Sequence, residues 1–155
     1  MAKTESEQQE NTQQCMARFT GNCRRAGLKV TPQRTAVYKT LIESDEHPSA
    51  ETIWRRLRKI MPNISLDTVN RTLLTLAETG LACVLEGSGE VRRYDGVAGN
   101  HQHFKCVNCK KVFDFHYKPY DDIKVPAGVP VLSGFEILKK SVYLEGLCRS
   151  CRGKQ

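Results

Sequence analysis

The chain has no apolar run near the roughly 18 residues that a bilayer span needs, and no membrane segment is expected. Its first residues are polar, rich in Gln and Glu, and show no signal peptide. With no secretion signal, the odd number of seven cysteines argues for reduced thiols in a cytoplasm rather than a disulfide framework. No His-Glu-x-x-His sequence is present to pair metal ligands with a general base, so a hydrolytic metalloenzyme has no support and no enzyme activity is expected. The thioredoxin-like βαβ context that a redox Cys-x-x-Cys requires is also missing. No internal repeat stands out.

What is present is two Cys-x-x-Cys pairs, Cys106–Cys109 and Cys148–Cys151, with 38 residues between them. Two residues between cysteines let both sulfurs turn toward one ion. Two such knuckles complete a tetrahedron of thiolates, the arrangement Zn²⁺ favours at a closed structural site. Two reduced core cysteine pairs are the plain alternative. Cys15, Cys23 and Cys83 have no ligand spacing and read as small buried hydrophobes.

The 155 residues suffice for one domain or two small ones, and a zinc site would staple a second domain near sixty residues. Formal net charge is +7, spread as −2 over residues 1–14, +5 over 15–94 and +4 over 95–155. A moderately basic surface favours an anionic polymer partner, although ordinary solubilising charge gives the same sum.

Residues 1–12 are polar without apolar periodicity and read as a disordered tail. A helix is expected over 13–27, closed by a left-handed Gly27. Thr31 and Pro32 start the next, with Ala36, Val37, Thr40 and Leu41 as its stripe. Ser49 starts a third, running to about Ile60, with Ile53, Leu57 and Ile60 on one side. Ser65 caps a fourth over Leu66–Thr79, closed by Gly80. Val69, Leu73, Leu76 and Ala77 form its buried stripe, which leaves Thr68, Arg71, Thr72 and Thr75 outward.

Leu81–Leu85 and Val91–Tyr94 flank Gly87-Ser88-Gly89 and read as a hairpin. Helices followed by a hairpin describe a winged helix, and the helix before the wing would enter the major groove of double-stranded DNA. Arg92 and Arg93 are placed for phosphate or the minor groove. A plain amphipathic bundle with solvated arginines is the competing description.

After Gly99, strands are expected over His103–Val107, Lys111–Phe115, Phe135–Leu138 and Ser141–Leu144. Pro119, Pro126 and Pro130 argue against a long helix between them. The expected fold is α+β. It comprises a tail over 1–12, a winged-helix DNA-binding domain over 13–94, a hinge over 95–100, and a dimerisation domain over 101–155 whose antiparallel sheet carries the four-cysteine zinc. A homodimer is expected because two-fold symmetry doubles the contacts to a palindromic site.

His101 and His103 fall on one side of a strand. Asp95 precedes them, Asp114 follows on the next strand, and His47 lies in a loop of the N-terminal half. Imidazole nitrogen with carboxylate oxygen and no sulfur suits Fe²⁺ or Mn²⁺, and Zn²⁺ also fits. Surface histidines beside solvated aspartates would show the same spacing. His116 is left as a surface or packing residue.

In order along the chain, Val30-Thr31-Pro32-Gln33-Arg34, His47-Pro48-Ser49-Ala50, Ser65-Leu66-Asp67-Thr68-Val69, His101-Gln102-His103 and both cysteine pairs resemble the ferric uptake regulator family, most of all its peroxide-responsive repressor branch. The match covers about Leu28 to Cys151. The resemblance implies a homodimeric metal-dependent repressor acting on an AT-rich palindromic operator. It also implies structural zinc on Cys106, Cys109, Cys148 and Cys151, and regulatory Fe²⁺ or Mn²⁺ on His47, Asp95, His101, His103 and Asp114. Metal bound there would join the two domains and favour the DNA-fitting conformation, a coupling that must be reciprocal.

Aspartate at 114, where the iron-sensing branch usually has glutamate, implies peroxide sensing through oxidation of His47 or His101. An iron- or zinc-availability sensor is the alternative. The implied DNA-contact set is Thr68, Asn70, Arg71, Thr72 and Arg92, and Asn70 departs from the family's usual tyrosine. Asn100 and Gln102 replace the usual ligands of the family's second dimerisation-domain metal site, so that site is not expected.

Overall fold

A computed structural model of the chain describes residues 5–44, 46–85, 91–96, 101–124, 128–137 and 140–153, with side chains from residue 12 onward. It divides into two compact units, Met1–Ala98 and Gly99–Gln155. Among the described residues no helix is long and apolar enough to cross a membrane.

The first unit holds four helices, α1 (Glu5–Arg25), α2 (Pro32–Ile42), α3 (Ala50–Leu57) and α4 (Leu66–Glu78), and a hairpin of β1 (Cys83–Leu85) and β2 (Arg93–Asp95). Helix α1 begins at Glu5, well inside the stretch expected to be a tail. Glu and Gln are good intrinsic helix formers, and extending a nucleated helix costs far less than starting one. Apolar periodicity therefore underestimates its length. Its end follows expectation: Gly27 takes φ +67°, the Gly27 N–H donates to Arg24 O at 3.1 Å and the Leu28 N–H to Cys23 O at 2.8 Å. Those two bonds are the Schellman closure that only a left-handed residue completes without strain. Gly80 closes α4 in the same way, with φ +70° and Leu81 N–H donating to Leu76 O at 2.9 Å.

The three expected N-caps are all in place. Thr31, Ser49 and Ser65 each accept from the backbone N–H three residues on, which pairs one of the orphan donors of each helix start. The core they orient consists of Val37, Tyr38 and Leu41 of α2, Ile53 and Leu57 of α3, and Val69, Leu73 and Leu76 of α4. Phe19 of α1 stacks on Tyr38 at 4.9 Å between ring centroids. Ile60 is not part of it and stands 74% exposed. Helix α3 stops at Leu57, and the Ile60 N–H turns back to Leu57 O, so the seven-residue spacing that would align Ile60 with Ile53 does not persist.

Strands β1 and β2 pair antiparallel, Val84 opposite Tyr94; the Gly87-Ser88-Gly89 turn lies outside the described residues. Strand β2 also grips the segment before α3. Ser49 bridges Arg93, and the Tyr94 N–H donates to Pro48 O at 3.1 Å.

The second unit is a three-stranded sheet ordered β4-β3-β5, made of β3 (Gln102–Cys106), β4 (Val112–Phe115) and β5 (Tyr143–Gly146). The sheet is mixed rather than antiparallel: β3 runs antiparallel to β4 and parallel to β5. A tight knuckle turn joins β3 to β4, whereas the chain reaches β5 through a long crossover, which permits parallel pairing. Among the described residues, that crossover holds the four-residue α5 (Lys118–Asp121) and a 3-10 turn at Pro130–Leu132, in keeping with its prolines. Residues 135–137 form no strand, and Leu138 lies outside the described residues. A last short helix, α6 (Arg149–Arg152), starts inside the second cysteine knuckle.

Candidate metal centres

Strand β3 ends on Cys106, which faces Gly146 of β5, two residues before Cys148. This pairing brings the knuckles together. The Val107 N–H donates to Gly146 O at 2.8 Å, and the Lys110 N–H turns back to Cys106 O at 3.0 Å, with Lys110 at φ +61°. The four cysteine sulfurs all lie within 4.8 Å of one another. Cys109 Sγ and Cys148 Sγ are 3.8 Å apart. Zinc–sulfur bonds of about 2.3 Å place two corners of a tetrahedron about 3.8 Å apart, so the cradle fits the ion.

Electrostatics favour an anion in this cradle. The Cys148 N–H donates to Cys106 Sγ at 3.4 Å. That donor first, then the Cys109 N–H, pulls the Cys106 thiol down to about 6 against the opposing effect of burial. Cys148 is pushed up to about 11, chiefly by burial. Thiolates crowded this closely cannot all ionise without a cation, which is the chemistry a structural metal supplies.

A second cluster sits at the other end of β3. His103 is opposite Asp114 of β4 and Tyr143 of β5. His101 Nε2 and His103 Nε2 are 3.1 Å apart, and Asp114 Oδ1 lies 3.5 Å from His103 Nε2 and 3.9 Å from His101 Nε2. Two nitrogens held about 2.1 Å from one ion at a right angle would be about 3.0 Å apart. The donor set is nitrogen and oxygen, suited to Fe²⁺, Mn²⁺ or Zn²⁺. Tyr143 stacks on the His103 ring at 5.3 Å and 19°. Nothing local marked Tyr143, because its contact depends on the parallel register of β5.

His47 and Asp95 belong to the first unit, where both are buried and their ligand atoms lie within 4.8 Å of each other. Strand β2 accounts for this approach: the Arg93 guanidinium donates to the His47 carbonyl at 2.9 Å, and Asp95 closes the same strand. Arg93 is thus engaged within the unit instead of projecting toward phosphate. The nine metal-ligand candidates therefore fall into the cysteine tetrad, the His101–His103–Asp114 trio and the His47–Asp95 pair. His116 lies 3.0 Å from Asp121.

On α4, Asn70 and Arg71 are exposed, Thr68 is half-buried with its hydroxyl 2.8 Å from that of Ser65, and Arg92 in the wing is exposed. Arg71 has Asp67 at 3.9 Å. Thr72 is 8% exposed and faces the core, contrary to its expected outward position. It follows Val69 by three residues and adjoins Leu73, so the helical turn carries it inward.

The model of the Ferric uptake regulator family matches residues 25–144. The peroxide operon regulator of Bacillus subtilis is 34% identical over 129 residues, 83% of this chain and 88% of its own. The peroxide-responsive repressor PerR of Staphylococcus epidermidis is 33% identical over 129 residues, 83% of this chain and 85% of its own. Among solved structures, the Helicobacter pylori ferric uptake regulator Fur, described with three functional metal binding sites, superposes with a TM-score of 0.71 at 25% identity, over 91% of this chain and 93% of that one. The manganese-containing ferric uptake regulator of Pseudomonas aeruginosa gives 0.68 at 25% identity, over 84% and 97%.

Proposed function

The chain belongs to the ferric uptake regulator family, and from that premise we propose that it is a cytoplasmic, homodimeric, metal-dependent repressor that senses peroxide. Regulators of this family are not enzymes. The observation that carries the reading is the His101–His103–Asp114 trio, whose donor atoms converge at 3.1–3.9 Å.

In this reading Cys106, Cys109, Cys148 and Cys151 hold a structural Zn²⁺, one per chain. The regulatory ligands in this reading are His101, His103 and Asp114 of the second unit and His47 and Asp95 of the first. These residues would hold Fe²⁺ or Mn²⁺, and Fe²⁺ there would supply reducing electrons to peroxide. His47 or His101 would be the residue that gains oxygen. An imidazole so modified would no longer offer its nitrogen as before, leaving fewer ligands for the ion.

The DNA partner is an AT-rich palindromic duplex. Helix α4 enters the major groove with Asn70 and Arg71, two of its exposed side chains, and Thr68 beside them. Asn pairs in bidentate fashion with adenine and Arg with guanine, while Arg92 of the wing contacts phosphate. The names of the Bacillus and Staphylococcus relatives favour peroxide sensing. The likeness to ferric uptake regulators favours the second reading, an iron- or zinc-availability sensor.

The test is a gel shift against a palindromic AT-rich duplex with and without Mn²⁺, repeated with Fe²⁺-loaded protein after peroxide. Repression predicts metal-dependent binding that peroxide abolishes for the iron form, with one oxygen added at His47 or His101 by mass spectrometry. Intact binding after peroxide, with no added oxygen, selects the availability sensor.

A further inference from the structure

His101 and His103 flank Gln102 at the start of β3, and because side chains alternate along a strand they face one side while Gln102 faces the other. Gln102 is 3% exposed, and a buried amide must find partners for its donors and its acceptor. Its Nε2 donates to Asp121 Oδ1 at 2.8 Å, and its Oε1 accepts from the Tyr117 backbone N–H at 2.8 Å. One side chain thus grips both ends of the turn that leads from β4 through α5. The other Asp121 oxygen lies 3.0 Å from His116 Nε2. Lys140 Nζ donates to the Asp121 carbonyl and, at 2.7 Å, to the Ile123 carbonyl, tying in the segment before β5.

The place of this network in the sheet gives it consequence. The ladder to β4 begins at Gln102, opposite Phe115, and the ladder to β5 begins one residue later at His103. His101 precedes both ladders. Its ring must nevertheless stay 3.1 Å from that of His103 to share an ion. The backbone of Gln102 is the last point before His101 that the sheet holds, and it is held on one side alone. The Gln102 amide supplies the anchorage the missing ladder partner would have given.

We propose that Gln102 is a positioning residue for the metal trio: clamped by Asp121 and the Tyr117 N–H, it sets His101 against His103. The inference rests on the regulatory-metal reading above. Groups that orient metal ligands from outside typically alter affinity by about 10–100-fold when removed. Gln102 acts through the backbone instead of bonding to a ligand, so the low end applies.

The experiment is Mn²⁺ titration of the full-length zinc-containing protein, by calorimetry and by Mn²⁺ electron paramagnetic resonance, with zinc content and thermal unfolding followed in parallel. Gln102→Ala and Asp121→Ala are expected to weaken Mn²⁺ binding by about tenfold with zinc content unchanged. Asp121→Asn, whose carbonyl oxygen still accepts from Gln102, is expected to stay within about twofold of the parent. Wild-type Mn²⁺ affinity in both alanine variants overturns the positioning role. So does loss of zinc from both, which would make the network a determinant of the fold instead. If only Gln102→Ala fails to fold, Asp121→Ala decides from the far end of the same bond. His103→Ala is the separate control: wild-type Mn²⁺ affinity there removes the metal reading itself, whatever Gln102 does.

Discussion

The two units have interiors of different kinds. In the helical unit the buried positions are Phe19, Val37, Tyr38, Leu41, Ile53, Leu57, Val69, Leu73 and their neighbours, and the loss of apolar surface from water holds it together. In the sheet unit, among the described residues, the buried side chains are Gln102, His103, Cys106 and Cys151. Its large apolar side chains stand outside: Phe113, Tyr117, Val131 and Phe135 are exposed in the single chain. One unit is therefore built from oil, the other from ligands and hydrogen bonds, with large apolar side chains left exposed. A domain of this second kind depends on metal for stability in a way the first does not.

The largest effect that would test this contrast comes from Cys106→Ser. Structural zinc contributes on the order of 10–16 kcal/mol in small zinc peptides. The variant should lose zinc and the cooperative unfolding of the sheet unit, while the helical unit keeps its own calorimetric transition. Two undisturbed transitions in a zinc-free variant would erase the distinction. The converse perturbation is Leu73→Ala in the apolar core, where Leu73 is fully buried. A cost of about 2–5 kcal/mol is expected, confined to the helical transition and accompanied by weaker DNA binding at unchanged zinc content. Zinc loss in that variant would mean the two interiors are not independent. The smallest effect is at Ser65, whose hydroxyl accepts from the Thr68 N–H at 3.0 Å. Ser65→Ala should cost about 1 kcal/mol, read as a slightly lower midpoint in denaturant for the helical unit alone.

Local chemistry was legible in the sequence. Thr31, Ser49, Ser65, Gly27 and Gly80 announced their helix ends because capping involves residues only a few positions apart. The knuckles and the His101–His103 pair were visible for the same reason. What escaped was set by contacts distant in sequence. Parallel pairing of β5, and with it the stacking of Tyr143 on His103, required a crossover whose path no short-range pattern encodes. Gln102 looked like a missing ligand, and its role emerges only when Asp121 and Tyr117 fold back onto it. Ile60 and Thr72 failed for a geometric reason: a shift of one residue at a helix end, or one position around the turn, exchanges inside for outside.

The seating of the two knuckles also bears on how fast the cluster can change. Each contributes one buried sulfur, Cys106 or Cys151, and one more accessible, Cys109 or Cys148. Cys106 is further tied into the parallel ladder through Gly146. With zinc bound there, a chelator would reach the outer pair first, but release of the ion would require the inner pair to separate, and with it the β3–β5 ladder. Zinc departure should therefore be clocked by the opening of the sheet. At saturating chelator its rate would level off at the local unfolding rate instead of rising with concentration, giving the cluster the lifetime of a fold.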